Sequence, residues 1–232
     1  MNGGILSLYR DSFADEIFLT PYSTEREAII AVAVDNTYNP GPRIVTMAIY
    51  VFRVWLHPNP PLGFEPGEEV WRDIEVDGSH TLAEFHEAIF EAYERWDSHA
   101  YEFITRDEDG IALRSYVHPQ LYDGGASWRP MDVEEIDRFM EQAVSDDATE
   151  AAKERFRDLQ SNPPPEGNTA ETTVDELDLD EVGALSYIFD MADNWDHYIG
   201  LQEAREGSLD CDPIVVDKQG TAPSQYPDLD EQ

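Results

Sequence analysis

Residues 81–96 constrain the fold more than any other stretch. Thr81-Leu-Ala-Glu84 has the form of a capping box, in which a threonine and a glutamate satisfy backbone N–H groups at a helix start. Behind it Leu82, Phe85, His86, Ile89, Phe90, Tyr93 and Trp96 recur at helical spacing on one stripe. That stripe requires an apolar surface to lie on, and the flanking sequence offers strands to build one.

Ile44 to His57 reads as a long strand with apolar residues on both faces, which suits a central position in a sheet. Val70 to Val76 alternates, with Val70, Ile74 and Val76 on one side. Strands are also expected at His99–Thr105 and Ile111–Val117, joined across Asp107-Glu-Asp-Gly110, and at about Leu185–Met191 and His197–Ala204. A helix is expected from Asp132, breaking near Asp146-Asp147 and resuming to about Leu159, Ser161 to Gly167 reads as a stiff connector, and a helical turn is expected near Asp175 to Asp180. Strands and helices in irregular order predict an α+β fold. It would have one mixed, mostly antiparallel sheet, packed by the helix at about 81–96, with extra helices in an insertion at about 106–172. A strand-helix extension at 1–43 and an acidic, partly flexible tail at 205–232 flank the main domain, 44–204.

The charge limits the partners. Asp and Glu number 50 against 15 Lys and Arg, a net charge of −35, and just two of the bases, Lys153 and Lys218, are lysines. The acids run along the whole chain rather than in one block. A salt-rich cytoplasm accounts for the even spread and the scarcity of lysine together. In molar salt the screening length falls to about 3 Å, so self-repulsion no longer opposes compaction. The same charge argues against nucleic acid, whose phosphates need clustered bases. One cysteine, Cys211, permits no intrachain disulfide. Met1-Asn-Gly-Gly has neither the basic start nor the apolar centre of a signal peptide, and the longest apolar run, Ile44 to Phe52, is about half a membrane span. A cytoplasmic protein without a membrane segment is the expectation.

Several anchors then carry a resemblance. Trp71-Arg72 closes a strand start, Thr81-Leu-Ala-Glu-Phe-His86-Glu-Ala-Ile89 opens the helix, and Trp96-Asp-Ser-His99 with Phe103 follows. Later come Tyr187-Ile-Phe-Asp190-Met-Ala-Asp193-Asn-Trp195-Asp-His197 and a Gly220-Thr-Ala-Pro-Ser-Gln-Tyr226 ending. Together these resemble the plasmid pRiA4b ORF-3-like family. Met191-Ala192 departs from that family's Phe-Gly, so the turn there cannot draw on glycine's freedom. The resemblance implies an α+β fold round one sheet and an association with plasmids and mobile elements. It implies no reaction.

The candidate site residues are Arg72, His86, Trp96, His99, Tyr187, Asp190, Asp193, Trp195 and His197. His86, His99 and His197 with Asp190 would be a possible ligand set for Zn²⁺ or a similar ion, which would make the chain a metal-dependent hydrolase. Their spacing matches no metal motif, and the plainer reading makes them packing residues. On that reading His86 bonds a backbone carbonyl, and His99 and His197 stack on tryptophans. Asp190, Asp193 and Asp196 are either crowded acid–base carboxylates or turn caps. Trp71, Trp96, Trp195, Tyr101 and Tyr187 line a ligand cleft or form core. Arg72 would anchor an anion or pair with an acid such as Asp190. No phosphate loop, nucleotide fingerprint or Ser-His-Asp order is present. The expectation is therefore a non-catalytic binding or interaction module. It would have no bound cofactor, and its partner would be a protein or a small molecule.

Overall fold

The computed structural model describes residues 48–226, apart from 60–61, 108–111, 125–131, 137, 139–153, 155–156, 159–160, 178 and 180–181. The expected 1–43 extension, the turn at 107–110 beyond Asp107 and most of the helix after Ile136 lie outside these residues.

Among the described residues eight strands form one sheet: β1 Ala48–Leu56, β2 Trp71–Asp77, β3 Tyr101–Arg106, β4 Ala112–Val117, β5 Glu166–Asn168, β6 Ala184–Phe189, β7 Trp195–Glu206 and β8 Ile214–Gln219. Their order is β5-β4-β3-β6-β7-β1-β2-β8. Every neighbouring pair is antiparallel except β4 with β5. The architecture is α+β with a mixed sheet, and β1, apolar on both faces, lies between β7 and β2.

The long helix, α1, spans Leu82–Ala92. The Thr81–Glu84 capping box is complete, and two further N-terminal N–H groups are satisfied from afar: Leu82 donates to the Thr172 carbonyl and Ala83 to that of Thr169. The stripe meets the sheet through aromatic rings. Phe85 packs against Phe52 of β1 (centroids 5.3 Å apart) and Phe103 of β3 (5.7 Å), and His86 stacks on Tyr101 at 3.5 Å. The core fills with Val54, Leu56, Ile74, Val76, Leu185, Phe189 and Ile199 from the strands, closed by Val174 and Leu177 of the 3-10 turn Val174–Leu177. A second helix, α2, is short, Pro119–Gly124.

Three departures from the sequence reading matter for the site. Helix α1 stops at Ala92, not near Trp96. Glu94 adopts φ 56°, its N–H reaches the Glu91 carbonyl and that of Arg95 reaches Phe90, the hydrogen-bond pair of a Schellman stop. The left-handed residue turns the chain, so Arg95 points inward and Trp96 outward. Glu166–Asn168, expected in a connector, runs parallel to β4 instead. Ile214–Gln219, expected in the tail, pairs with β2 as the far edge of the sheet.

Candidate functional site

The β6–β7 hairpin and the segment after α1 meet at one corner of the sheet. Tyr101 pairs with Phe189, and the Asp190 N–H donates to the Ala100 carbonyl (3.0 Å), so His99 sits beside the hairpin turn. The turn takes left-handed backbone at Asp190 (φ 53°) and Asn194 (φ 56°), residue types that tolerate it, which explains how Met191-Ala192 does without glycine. Asp190 Oδ1 accepts from the N–H groups of Ala192 and Asp193, while Asn59 Nδ2 donates to the carbonyls of Asp193 and Asn194.

With one oxygen fixed in the turn, Asp190 Oδ2 lies 3.5 Å from His99 Nδ1. On the other side of the ring, Nε2 is 2.8 Å from the Tyr226 hydroxyl and 3.4 Å from Asp97 Oδ2. Tyr226 in turn donates to Asp97 Oδ2 at 2.9 Å, so its oxygen is the acceptor for His99. Desolvation and the hydrogen bond to Asp97, with the charges of Asp97, Asp190 and Asp193, push the Tyr226 phenol up to about 12. Burial and the neighbouring Asp190 also raise Asp193.

Trp96 stands at the edge of this network, 68% exposed, with its ring edge-on to Tyr226 at 5.5 Å. Its backbone is fixed from behind. Gln225, buried, accepts from the N–H groups of both Trp96 and Asp97 and donates to the Asp97 carbonyl. Residues 221–226 thus strap the corner together. Gln225, Tyr226, Asp97 and Arg95 were not among the sequence candidates. The Gly220–Tyr226 motif was visible, but nothing local to it points to a segment some 130 residues earlier.

The other candidates lie beneath the surface. Trp195 is fully buried, under the Arg95 guanidinium at 4.2 Å. His86 bonds the Tyr187 hydroxyl at 2.7 Å rather than a carbonyl, and burial pushes it down to about 3. His197 packs against Tyr93 (4.8 Å) and Tyr187 (5.2 Å), not a tryptophan, and burial holds it well below the usual histidine range. His99 likewise meets Phe189 and Tyr226. Arg72 is committed to main-chain oxygens: its Nε donates to Ala92, at the end of α1, and its Nη1 to Trp71 and Gln219. It ties the helix to β2 and β8. The residues weighed as metal ligands are divided, His86 and His197 in the buried aromatic cluster and His99 with Asp190 at the corner. Among the described residues no group of three or more His, Cys, Asp or Glu side chains is placed to hold a metal ion. No helix among them is long and apolar enough to cross a membrane.

A model of the family described as plasmid pRiA4b ORF-3-like protein matches residues 62–226, from the loop before β2 through the strap. The chain belongs to the plasmid pRiA4b ORF-3-like family. The family match takes in Trp96, His99, the β6–β7 turn and Tyr226 together, so the whole corner lies inside it. No curated protein matches the chain. Among solved structures it is similar to a protein of unknown function, MM3350 from Methanosarcina mazei Go1. The two share 14% identity over 77% of this chain and 74% of that one, with a TM-score of 0.48.

Proposed function

We propose that this pRiA4b ORF-3-like protein is a non-catalytic binding module whose contact surface is the corner formed by Trp96, Asp97, His99, Asp190, Asp193 and Tyr226. One observation carries the reading: a tryptophan that is 68% exposed and yet held in place by Gln225 and Tyr226. A large apolar ring in water gains nothing for the fold, whereas a rigid exposed aromatic loses little freedom when a partner covers it. Three carboxylates beside it favour a cationic group, and an arginine or lysine side chain can lie over the indole while meeting Asp97 or Asp193. The partner is therefore a protein segment bearing such side chains. The family's plasmid origin supports a setting near mobile elements, and the acidic, lysine-poor composition supports a salt-rich cytoplasm.

Titration with a short arginine-containing peptide, followed by amide resonances, tests this. Shifts should centre on Trp96, Asp97 and His99 and vanish in Trp96→Ala. Shifts spread evenly over the acidic surface and unchanged in Trp96→Ala would sink it.

A further inference from the structure

Beneath the corner lies a second feature that the surface reading does not use. Arg95 is 6% exposed and has no carboxylate partner among the described residues. Its Nη1 donates to the Pro223 carbonyl of the strap at 3.1 Å, and its plane lies over Trp195. Its Nε and Nη2 meet no acceptor among the described residues. Those are the two donors with which Arg53 grips Asp73, at 2.7 Å each. Arg72, the comparably buried arginine, spends Nε and Nη1 on carbonyls. Arg95 leaves its fork unused.

Two more polar atoms share its surroundings. Among the described residues Trp195 Nε1 meets no acceptor, and His197, close enough to feel the Arg95 charge, has an Nε2 without a partner. His197 Nδ1 lies 3.0 Å from the Trp195 carbonyl, which places the proton there and leaves Nε2 as a lone pair. A buried guanidinium without a counter-charge is costly, and a chain with 50 acids had carboxylates to spare for it.

We infer that the Nε–Nη2 fork of Arg95, with the Trp195 indole N–H beside it, is the anchor of a site for a small carboxylate, closed over by the strap at 221–226. The donors call for an acceptor at those positions, and the planar fork matches two oxygens on one carbon better than a single halide ion. The strap is the entry. It holds Arg95 through Pro223 and the corner through Gln225 and Tyr226, and it leaves the sheet at Gly220, whose φ of 71° makes a sharp exit. The site is separate from the exposed face of Trp96, which lies on the other side of the turn at Glu94.

The test uses the full chain at constant ionic strength, with chloride exchanged for acetate. Acetate should raise the thermal midpoint saturably and shift the Arg95 Nε–H and Trp195 indole resonances. Arg95→Lys keeps the charge but not the fork, and should weaken the apparent affinity about tenfold or more. Arg95→Met should abolish the response. An apolar side chain in place of a buried charge is often tolerated, so this variant is expected to fold; if it does not, the wild-type resonances decide. Resonances that acetate does not move, or that chloride moves equally, would overturn the site. So would a midpoint rise of the same size in Arg95→Met.

Discussion

Gln225 and Asp97 hold each other by a reciprocal pair of hydrogen bonds: the Asp97 N–H donates to Gln225 Oε1 at 3.0 Å, and Gln225 Nε2 returns to the Asp97 carbonyl at 2.8 Å. The same Oε1 also takes the Trp96 N–H. One buried side chain therefore replaces the water that this exposed turn would otherwise need. It joins the end of the described chain to the residue that presents Trp96.

Gln225→Leu should consequently be costly. It leaves two N–H groups and a carbonyl without the partner that Gln225 supplies. At about 1–3 kcal/mol for an unsatisfied buried group, a loss of roughly 3 kcal/mol is expected, since some rewetting will follow. Urea unfolding checks the magnitude, and Trp96 fluorescence should report a looser indole in the folded state. A loss below about 0.5 kcal/mol would mean the strap contributes nothing to the corner.

Gly220→Ala tests the exit of the strap. The position has φ 71°, and an added Cβ would lie 2.7 Å from the Glu69 carbonyl oxygen and 2.9 Å from Val70 Cγ2. Backbone strain and a clash with main chain act together, so a loss of about 1–3 kcal/mol is expected, largely as faster unfolding. Gly63, also at positive φ (73°) but with nothing near its missing Cβ, is the comparison, and Gly63→Ala should cost less.

How far the sequence led can be judged at these residues. The capping box and the stripe through Phe85 and Ile89 were legible because helix signals are local. Strands β1 to β4, β6 and β7 were legible from their apolar patterns, and β5 and β8 were not. Glu166-Gly-Asn168 has just three residues, and Ile214–Gln219 is exposed along its length, so neither shows the alternation that burial imposes. At the site, His99 and Asp190 were identified and do meet. Trp96 and Trp195 were read as equivalent, yet one left-handed residue, Glu94, sends one out and its neighbour Arg95 in over the other. A positive φ at a glutamate has no signature in sequence. Nor had Gln225, whose partners are fixed by tertiary contact alone.

The buried histidines set an acid limit. Above pH 6.5 His86 and His197 are neutral folded or unfolded, so neither costs anything. Below it the unfolded chain binds a proton at each, whereas folded His86 resists down to about 3 and folded His197 stays well below its ordinary value. Stability should therefore fall as pH drops from 6.5, by roughly 1.4 kcal/mol per pH unit for His86, or about 2 kcal/mol by pH 5, with His197 adding in the same direction. Asp77 and Glu84, whose carboxyls are lowered in the fold, lose their contribution at more acid pH, while Asp193 and Asp196, raised by burial, work against the histidine slope. Urea unfolding at fixed salt should show the slope, and His86→Gln should remove the His86 share of it. An unchanged slope in that variant would contradict the burial argument.

Salt should act the other way. At a net charge of −35 the folded chain concentrates like charge, and the corner shows it locally, with Asp97, Asp190 and Asp193 around one imidazole. Adding KCl weakens two opposed effects. It screens the favourable pairs, such as Arg53 with Asp73 and Arg205 with Glu75, and it screens the repulsion among the remaining acids. With 15 Lys and Arg against 50 acids most carboxylates have no basic partner, and exposed pairs contribute little in any case, so relief of repulsion wins. The thermal midpoint followed by far-UV circular dichroism should climb from millimolar to molar KCl, with most of the gain before the screening length falls to about 3 Å near 1 M. Equal stability at both ends would mean that the acids are spaced widely enough not to feel one another, and the salt-rich cytoplasm would lose its physical basis.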